Sequence, residues 1–316
     1  MICSCQHIEE KRININQYDP TRTTSLRNVF ARDMQRRFRE LKTVIVKTIE
    51  EDDCFGLKTN KIARYQLTSS GKLAFSFPRS ADKVTAFMSW VKEQQGKGLL
   101  TVRHIPQLGK AAEQPWTNMY IEDSYKRGVI RARYEMNKAG LKIPSMEATG
   151  GIMASMSTPF HLDRVGLLYS RVFNDLKGIT NAMDTQISRV LSQGIADGDN
   201  PRLLARKLVA TIDGTGLGEL GIKDSLGRYI PATRRAEMLA RTEVVRAHSE
   251  ATLQEYKNWQ VEGVFVQAEF MTAGDDRVCA ICESLIGKTY TIEEASGIIP
   301  VHPLCRCAWI PVKIKK

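Results

Sequence analysis

Cys279-Ala280-Ile281-Cys282, followed after nineteen residues by His302-Pro303-Leu304-Cys305-Arg306-Cys307, decides how the last part of this 316-residue chain folds. Five of the twelve Cys and His residues fall within it. A Cys-x2-Cys turn brings two thiolates to one point, and a second ligand cluster after a loop of about fifteen to twenty residues is the signature of a structural zinc site. Zinc takes four ligands, and Cys279, Cys282, His302, Cys305 and Cys307 offer five. Two completions are open: His302 with Cys305, or Cys305 with Cys307. Pro300 and Pro303 stiffen the closing loop and reduce the entropy lost in forming it. A catalytic zinc would keep an open position beside a working carboxylate. Asp275, Asp276 and Glu283 lie nearby, but the His-x-Glu and Pro-Cys-x-x-Cys signature of zinc deaminases is absent. The expectation is one structural Zn2+ per chain and no catalytic residues.

Working outward, the hydrophobic content of 42% and charged content of 26% are those of an ordinary globular protein, long enough for two or three folding units. No apolar run approaches the roughly 18–20 residues of a membrane span. Met1–His7 lacks a basic start followed by an apolar stretch, so we expect a reducing compartment, where clustered cysteines favour metal over disulfides. The net charge is +11, yet residues 232–316 hold eleven basic and eleven acidic residues, so the whole excess lies in 1–231. A zinc module that grips nucleic acid carries its own basic surface. This one does not, and its metal is expected to hold a fold together.

Elsewhere helices dominate. Leu26, Phe30, Met34, Phe38, Leu41, Ile45 and Ile49 recur at spacings of three and four, which predicts a long amphipathic helix over residues 22–50, capped by Thr24 or Ser25. Residues 22–47 carry eight basic and two acidic side chains; a solvated face is the plain reading, non-specific contact with DNA the sharper one. A hairpin is expected over 63–79, a helix from Ser80 to Gly96, and another from Trp116 to Lys138 with Gly140 as its C-cap. Residues 142–159, rich in Ser, Thr, Gly, Met and Pro, read as a linker between a basic N-terminal region (1–141) and a helical middle region (160–231). Two helices are expected in 160–194, then an Asn200 cap with Pro201 in first helical position. Gly216-Leu217-Gly218-Glu219-Leu220-Gly221 spells the dinucleotide-binding fingerprint but lacks the preceding strand, and reads as a loop. A helix over 232–260 and strands near 264–270, 288–292 and 308–314 complete the C-terminal unit (232–316). The fold class expected is mainly α with a small α+β C-terminal unit, its short strands gathered around a structural zinc site. Cys3, Cys5 and His7 form a weaker cluster, while Cys54, His104, His161 and His248 read as ordinary core or surface residues.

The sequence Asp275-Asp276-Arg277-Val278-Cys279-Ala280-Ile281-Cys282-Glu283-Ser284-Leu285-Ile286-Gly287 resembles the D-x-R-V-C-x-x-C-x-x-L-x-G stretch of the tailed-phage head-morphogenesis family, the Mu F-like minor head proteins. His302–Cys307 is similar to that family's closing H-P-x-C-R-C, and Ala240-Arg241-Thr242-Glu243-Val244-Val245-Arg246-Ala247 to its A-R-T-E-x-x-R-A helix. The three blocks agree in order and spacing and cover roughly residues 160–316. One departure is that the family loop often has Asn where Leu304 stands. The resemblance implies a virion protein of few copies at the portal vertex, acting in head assembly, DNA packaging or genome delivery. Its partners would then be the portal protein and capsid or scaffold proteins, and its place the virion head near the portal, after assembly in the host cytoplasm. The rival reading is a zinc-stabilised nucleic-acid-binding or nuclease-like protein.

Overall fold

The computed structural model describes residues 19–57, 80–105, 112–213, 223 and 227–314. The hairpin expected over 63–79, the Gly216–Gly221 loop and the Cys3/Cys5/His7 cluster lie outside the described residues. The helices are α1 (Thr24–Val46, continued by a π-helical turn Lys47–Glu51), α2 (Ser80–Lys97), α3 (Asn118–Lys138), α4 (Gly151–Met156), α5 (Pro159–Ala196), α6 (Pro201–Asp213), α7 (Ala232–Val261), α8 (Ala280–Glu283) and α9 (Ile292–Ala295). Strands β1 (Val102–Ile105) and β2 (Ala112–Pro115) form an antiparallel pair; β3 (Val266–Met271), β4 (Thr289–Tyr290) and β5 (Ala308–Lys313) form an antiparallel sheet in the order β4-β3-β5. The protein is thus mainly helical with a small C-terminal sheet. Its compact units are discontinuous in sequence: one comprises residues 1–31, 117–173 and 238–316, the other 32–116 and 174–237.

In the second unit, the apolar stripe of α1 does what its spacing dictates. Met34, Phe38, Leu41, Ile45 and Ile49 are all buried, together with Phe87 and Val91 of α2 and Leu176, Met183, Ile187 and Leu191 of α5. The two helices expected in 160–194 are one 38-residue helix. Gly178, which invites a break, meets nothing within 4 Å of an added Cβ; a lone exposed glycine costs a helix only about 1 kcal/mol, too little to end one held by a continuous buried stripe. Asn200 caps α6 as expected, its Oδ1 accepting from the Leu203 N–H at 2.9 Å. Burial, with the Asp53 carboxylate beside it, pushes the Cys54 thiol up to about 12, the behaviour of an inert core cysteine.

The first unit is organised around α7. From Ala240 to Tyr256 this helix is buried on almost every face, although the sequence is rich in charge: Glu243, His248, Glu250 and Glu255 are all buried with it. Packing that closely requires small residues. Ala240, Ala247 and Ala251 are fully buried, and α3 meets the helix at Gly128, where an added Cβ would come within 2.5 Å of the His248 carbonyl oxygen and 2.7 Å of the Ala251 Cβ. Helix α3 ends as expected at Gly140 (φ 78°), with the Leu141 N–H reaching back to the Met136 carbonyl at 3.0 Å. The cap of α1 differs from expectation. Asp19, rather than Thr24 or Ser25, serves the first turn: its Oδ2 accepts from the Thr24 N–H at 2.9 Å and from Arg27 Nη2 at 2.9 Å. Burial alone would raise the Asp19 pKa; the Arg27 charge and the threonine hydroxyls outweigh it and hold the carboxyl at about 2. Residues 142–159, read as a linker, contain a 3₁₀ turn (Glu147–Thr149) and α4, with Ser155 and Met156 buried. Arg133 of α3 ties that stretch down through Thr149 Oγ1 at 2.5 Å and Ser155 Oγ at 2.9 Å.

Gly128→Ala should therefore destabilise the protein by about 1–3 kcal/mol in chemical denaturation, despite alanine's better helix propensity, because backbone must move to admit the methyl. A variant as stable as the parent would show that α3 and α7 do not approach this closely.

Candidate metal centre

Local structure brings the five sequence-predicted candidates into two groups of three that share Cys282. Cys279 begins α8 and accepts through its sulfur from the Cys282 N–H at 3.5 Å, so the Cys-x2-Cys turn is a helix cap as well as a candidate ligand pair. The intervening chain passes through β4 and α9, the latter fixed by a reciprocal capping box between Thr291 and Glu294 and by burial of Ile292 and Ala295. His302 Nε2 then lies 3.3 Å from Cys279 Sγ and 3.2 Å from Cys282 Sγ. His302 Nδ1 is 2.7 Å from the Pro303 carbonyl; as the donor there, it leaves Nε2 with its lone pair toward the sulfurs. Cys305 and Cys307, on the other side of Cys282, are buried beside Phe270, Trp309 and Ile299 in the core of the unit. The donor atoms of Cys279, Cys282 and His302 lie within 4.8 Å of one another, as do those of Cys282, Cys305 and Cys307.

The electrostatics suit a cation. Hydrogen bonds from Cys282 and Cys307 depress the Cys305 pKa, and hydrogen bonding to Cys305 and Cys307, with burial, raises that of Cys282. Three crowded sulfurs thus share protons around one favoured thiolate, the condition in which a divalent thiophilic ion can replace protons. The donor set fits zinc: only sulfur and nitrogen, with an oriented histidine. Among the carboxylates weighed at sequence level, Asp276 and Glu283 are exposed and neither joins the cluster.

Asp275 has a different part, one that sequence reading missed. Its carboxylate is gripped by Arg306, with Nη1 at 2.7 Å and Nη2 at 2.5 Å, and by Arg277 Nη2 at 2.8 Å. The hydrogen bonds from Arg306, foremost, and from Arg277 hold its carboxyl far below the usual range against the opposing effect of burial. The arginines of D-x-R and C-R-C thereby meet on one acid and close the segment that carries the ligands. The repeated Arg beside Cys was the available signal, but nothing in spacing alone says that both reach one carboxylate.

The A-R-T-E helix supports the same loop. Thr242 Oγ1 of α7 accepts from the Leu304 N–H at 3.0 Å, Arg241 Nη1 donates to Asn28 Oδ1 at 2.6 Å, and buried Glu243 is flanked by Arg246 at 3.0 Å and Arg171 at 3.4 Å. Leu304 sits at φ 65°, a left-handed conformation that a branched apolar side chain adopts at a cost and that Asn tolerates well. His161, read as an ordinary histidine, lies in a second buried network: Tyr125 Oη is 2.9 Å from Nδ1, and Glu255 Oε2 is 3.1 Å from Nε2, with Arg133 Nε at 2.6 Å from the same carboxylate. Its partners are far away in sequence, which hid them. His248 is fully buried, and desolvation lowers its pKa to about 4.

A polar helix buried beside a small sheet, closed by a Cys/His knot, defines a structural module. Residues 185–310, which contain all three motif blocks, match the family model described as Phage Mu protein F like protein. Neither the curated proteins nor the solved structures returned a match to the chain.

Two outcomes follow from this geometry. Leu304→Asn should raise stability by about 1 kcal/mol, since it relieves left-handed strain without touching a donor; a lower unfolding midpoint would contradict it. His248 has a folded pKa near 4 against about 6.5 unfolded. The unfolded chain takes up its proton first on acidification, so this contribution is complete above about pH 6.5 and is lost progressively as pH falls to about 4, by roughly 3 kcal/mol. The stability–pH curve of His248→Gln should be flatter over that window; a parallel curve would remove His248 as the cause.

Proposed function

We propose that this protein is a structural minor head protein of a tailed phage, associated with the portal vertex and acting in head assembly, DNA packaging or genome delivery, with one zinc ion stapling its C-terminal module. The observation that carries the reading is the convergence of the A-R-T-E helix, the D-x-R-V-C-x-x-C turn and the H-P-x-C-R-C loop on one knot, within a stretch that matches the Mu F-like family. Cys279, Cys282, His302, Cys305 and Cys307 would hold the ion, which when bound would supply cross-linking rather than chemistry. Asp275 with its two arginines and Thr242 orient the loop, and the adjoining core excludes water from the inner sulfurs. Among the described residues no helix is long and apolar enough to cross a membrane.

The nucleic-acid-binding alternative gains no support. Of the eight basic residues in 22–47, Arg27, Arg36, Arg37 and Lys42 are spent on ion pairs within the protein. What non-specific contact with DNA there is belongs to the second unit, whose residues include 25 Lys or Arg against 17 Asp or Glu.

Elemental analysis of the full chain purified without chelators should find about one zinc per chain, with occupancy falling on acidification as thiolates and imidazole regain protons. Cys282→Ser should lower the unfolding temperature far more than Cys54→Ser; equal effects would argue against a metal staple. Co-expressed with the head proteins of its phage, the chain should co-purify with the portal protein. Co-purification with the major capsid protein alone would sink the portal assignment.

A further inference from the structure

Zinc offers four places, and the structure presents five donors. Among the described residues no four of them close to within 4.8 Å; two groups of three do, and Cys282 belongs to both. The two groups differ in kind. Cys282, Cys305 and Cys307 are buried, and Arg306 between the last two is locked onto Asp275 by two bonds, while Cys307 adjoins β5. Cys279 and His302 are only partly buried, on the solvent side of Cys282. A tetrahedral ion bound at about 2.3 Å holds its sulfurs roughly 3.8 Å apart, so either triad matches one triangular face of such a tetrahedron.

The geometry points to an ion seated on the inner thiolate face formed by Cys282, Cys305 and Cys307, with its fourth place shared in exchange between Cys279 and His302. This deepens the zinc reading proposed above and rests on it. Once the inner face is filled, one place remains, and two donors, Cys279 Sγ and His302 Nε2, reach toward Cys282 from the accessible side. One rim donor can therefore leave while the other holds the ion. Metal enters and departs by that side without the buried sulfurs separating, and Cys282, common to both groups, is the pivot.

Native mass spectrometry of the full chain, with zinc and with cobalt(II) as a spectroscopic stand-in, tests this. Cys279→Ser and His302→Ala should each retain about one ion per chain, and the double variant should lose it. Cys282→Ser, Cys305→Ser and Cys307→Ser should each lose it singly. The cobalt spectrum should read three sulfurs and one nitrogen in Cys279→Ser and four sulfurs in His302→Ala, a readout taken on metal-loaded, folded protein and so independent of whether the inner variants fold. Retention of the ion by Cys307→Ser at parental affinity, loss of it in either rim variant alone, or identical cobalt spectra for the two rim variants would overturn the exchange. A parent chain that binds no zinc would overturn the metal reading itself.

Discussion

The burial of α7 is the constraint on which the rest of the first unit depends. A helix carrying Glu243, Glu250 and Glu255 can be withdrawn from water only if each carboxylate finds a partner, because an unpaired buried charge costs several kcal/mol. Flanking segments and neighbours on α7 itself supply them. Arg171 and Arg246 answer Glu243, Arg164 approaches Glu250 at 3.6 Å, and Arg133, His161 and Trp259 surround Glu255. Ser124 of α3 even donates to the Val244 carbonyl at 2.6 Å. The bonds from Ser124, Arg133, His161, Arg164 and Arg171 each fix a neighbouring segment at one height along α7, so the polar set specifies the packing that apolar contact alone would leave free to slide.

The cysteine loop is one more client of that helix. Thr242 holds Leu304, Asp275 holds both arginines, and the ligands inherit their positions from those anchors. The metal would then be the last cross-link in a structure already close to its final shape. This accounts for why the Cys305-Arg306-Cys307 segment sits deep in the core with Phe270 and Trp309, whose rings meet edge to face at 5.6 Å.

Sequence reading captured what depends on local period and local chemistry. All seven residues of the α1 stripe are buried, the Asn200 and Gly140 caps stand where expected, and the three C-terminal strands fall within a few residues of their predicted bounds. The five metal-ligand candidates fall into two groups of three that share Cys282. Long-range polar pairing was not legible. Asp19 reaching Arg27 and the first turn of α1, Asp275 joining two arginines and His161 meeting Glu255 depend on how segments meet in space. The helix expected over 232–260 is present, but its deep burial was not legible either, because it depends on the segments that pack around Glu243, Glu250 and Glu255.

β5 lies at the rim of the three-stranded sheet with Pro311 at its middle, opposite Ala268. The ladder tolerates the proline because an outward-facing nitrogen needs no acceptor. Any strand arriving from another molecule would find that donor missing at the centre of the six residues on offer. Where many copies of several proteins are concentrated in one place, such an edge does not invite indiscriminate backbone pairing. At the β5 edge, contact with another molecule would thereby fall to side chains, which can discriminate, rather than to main chain, which cannot.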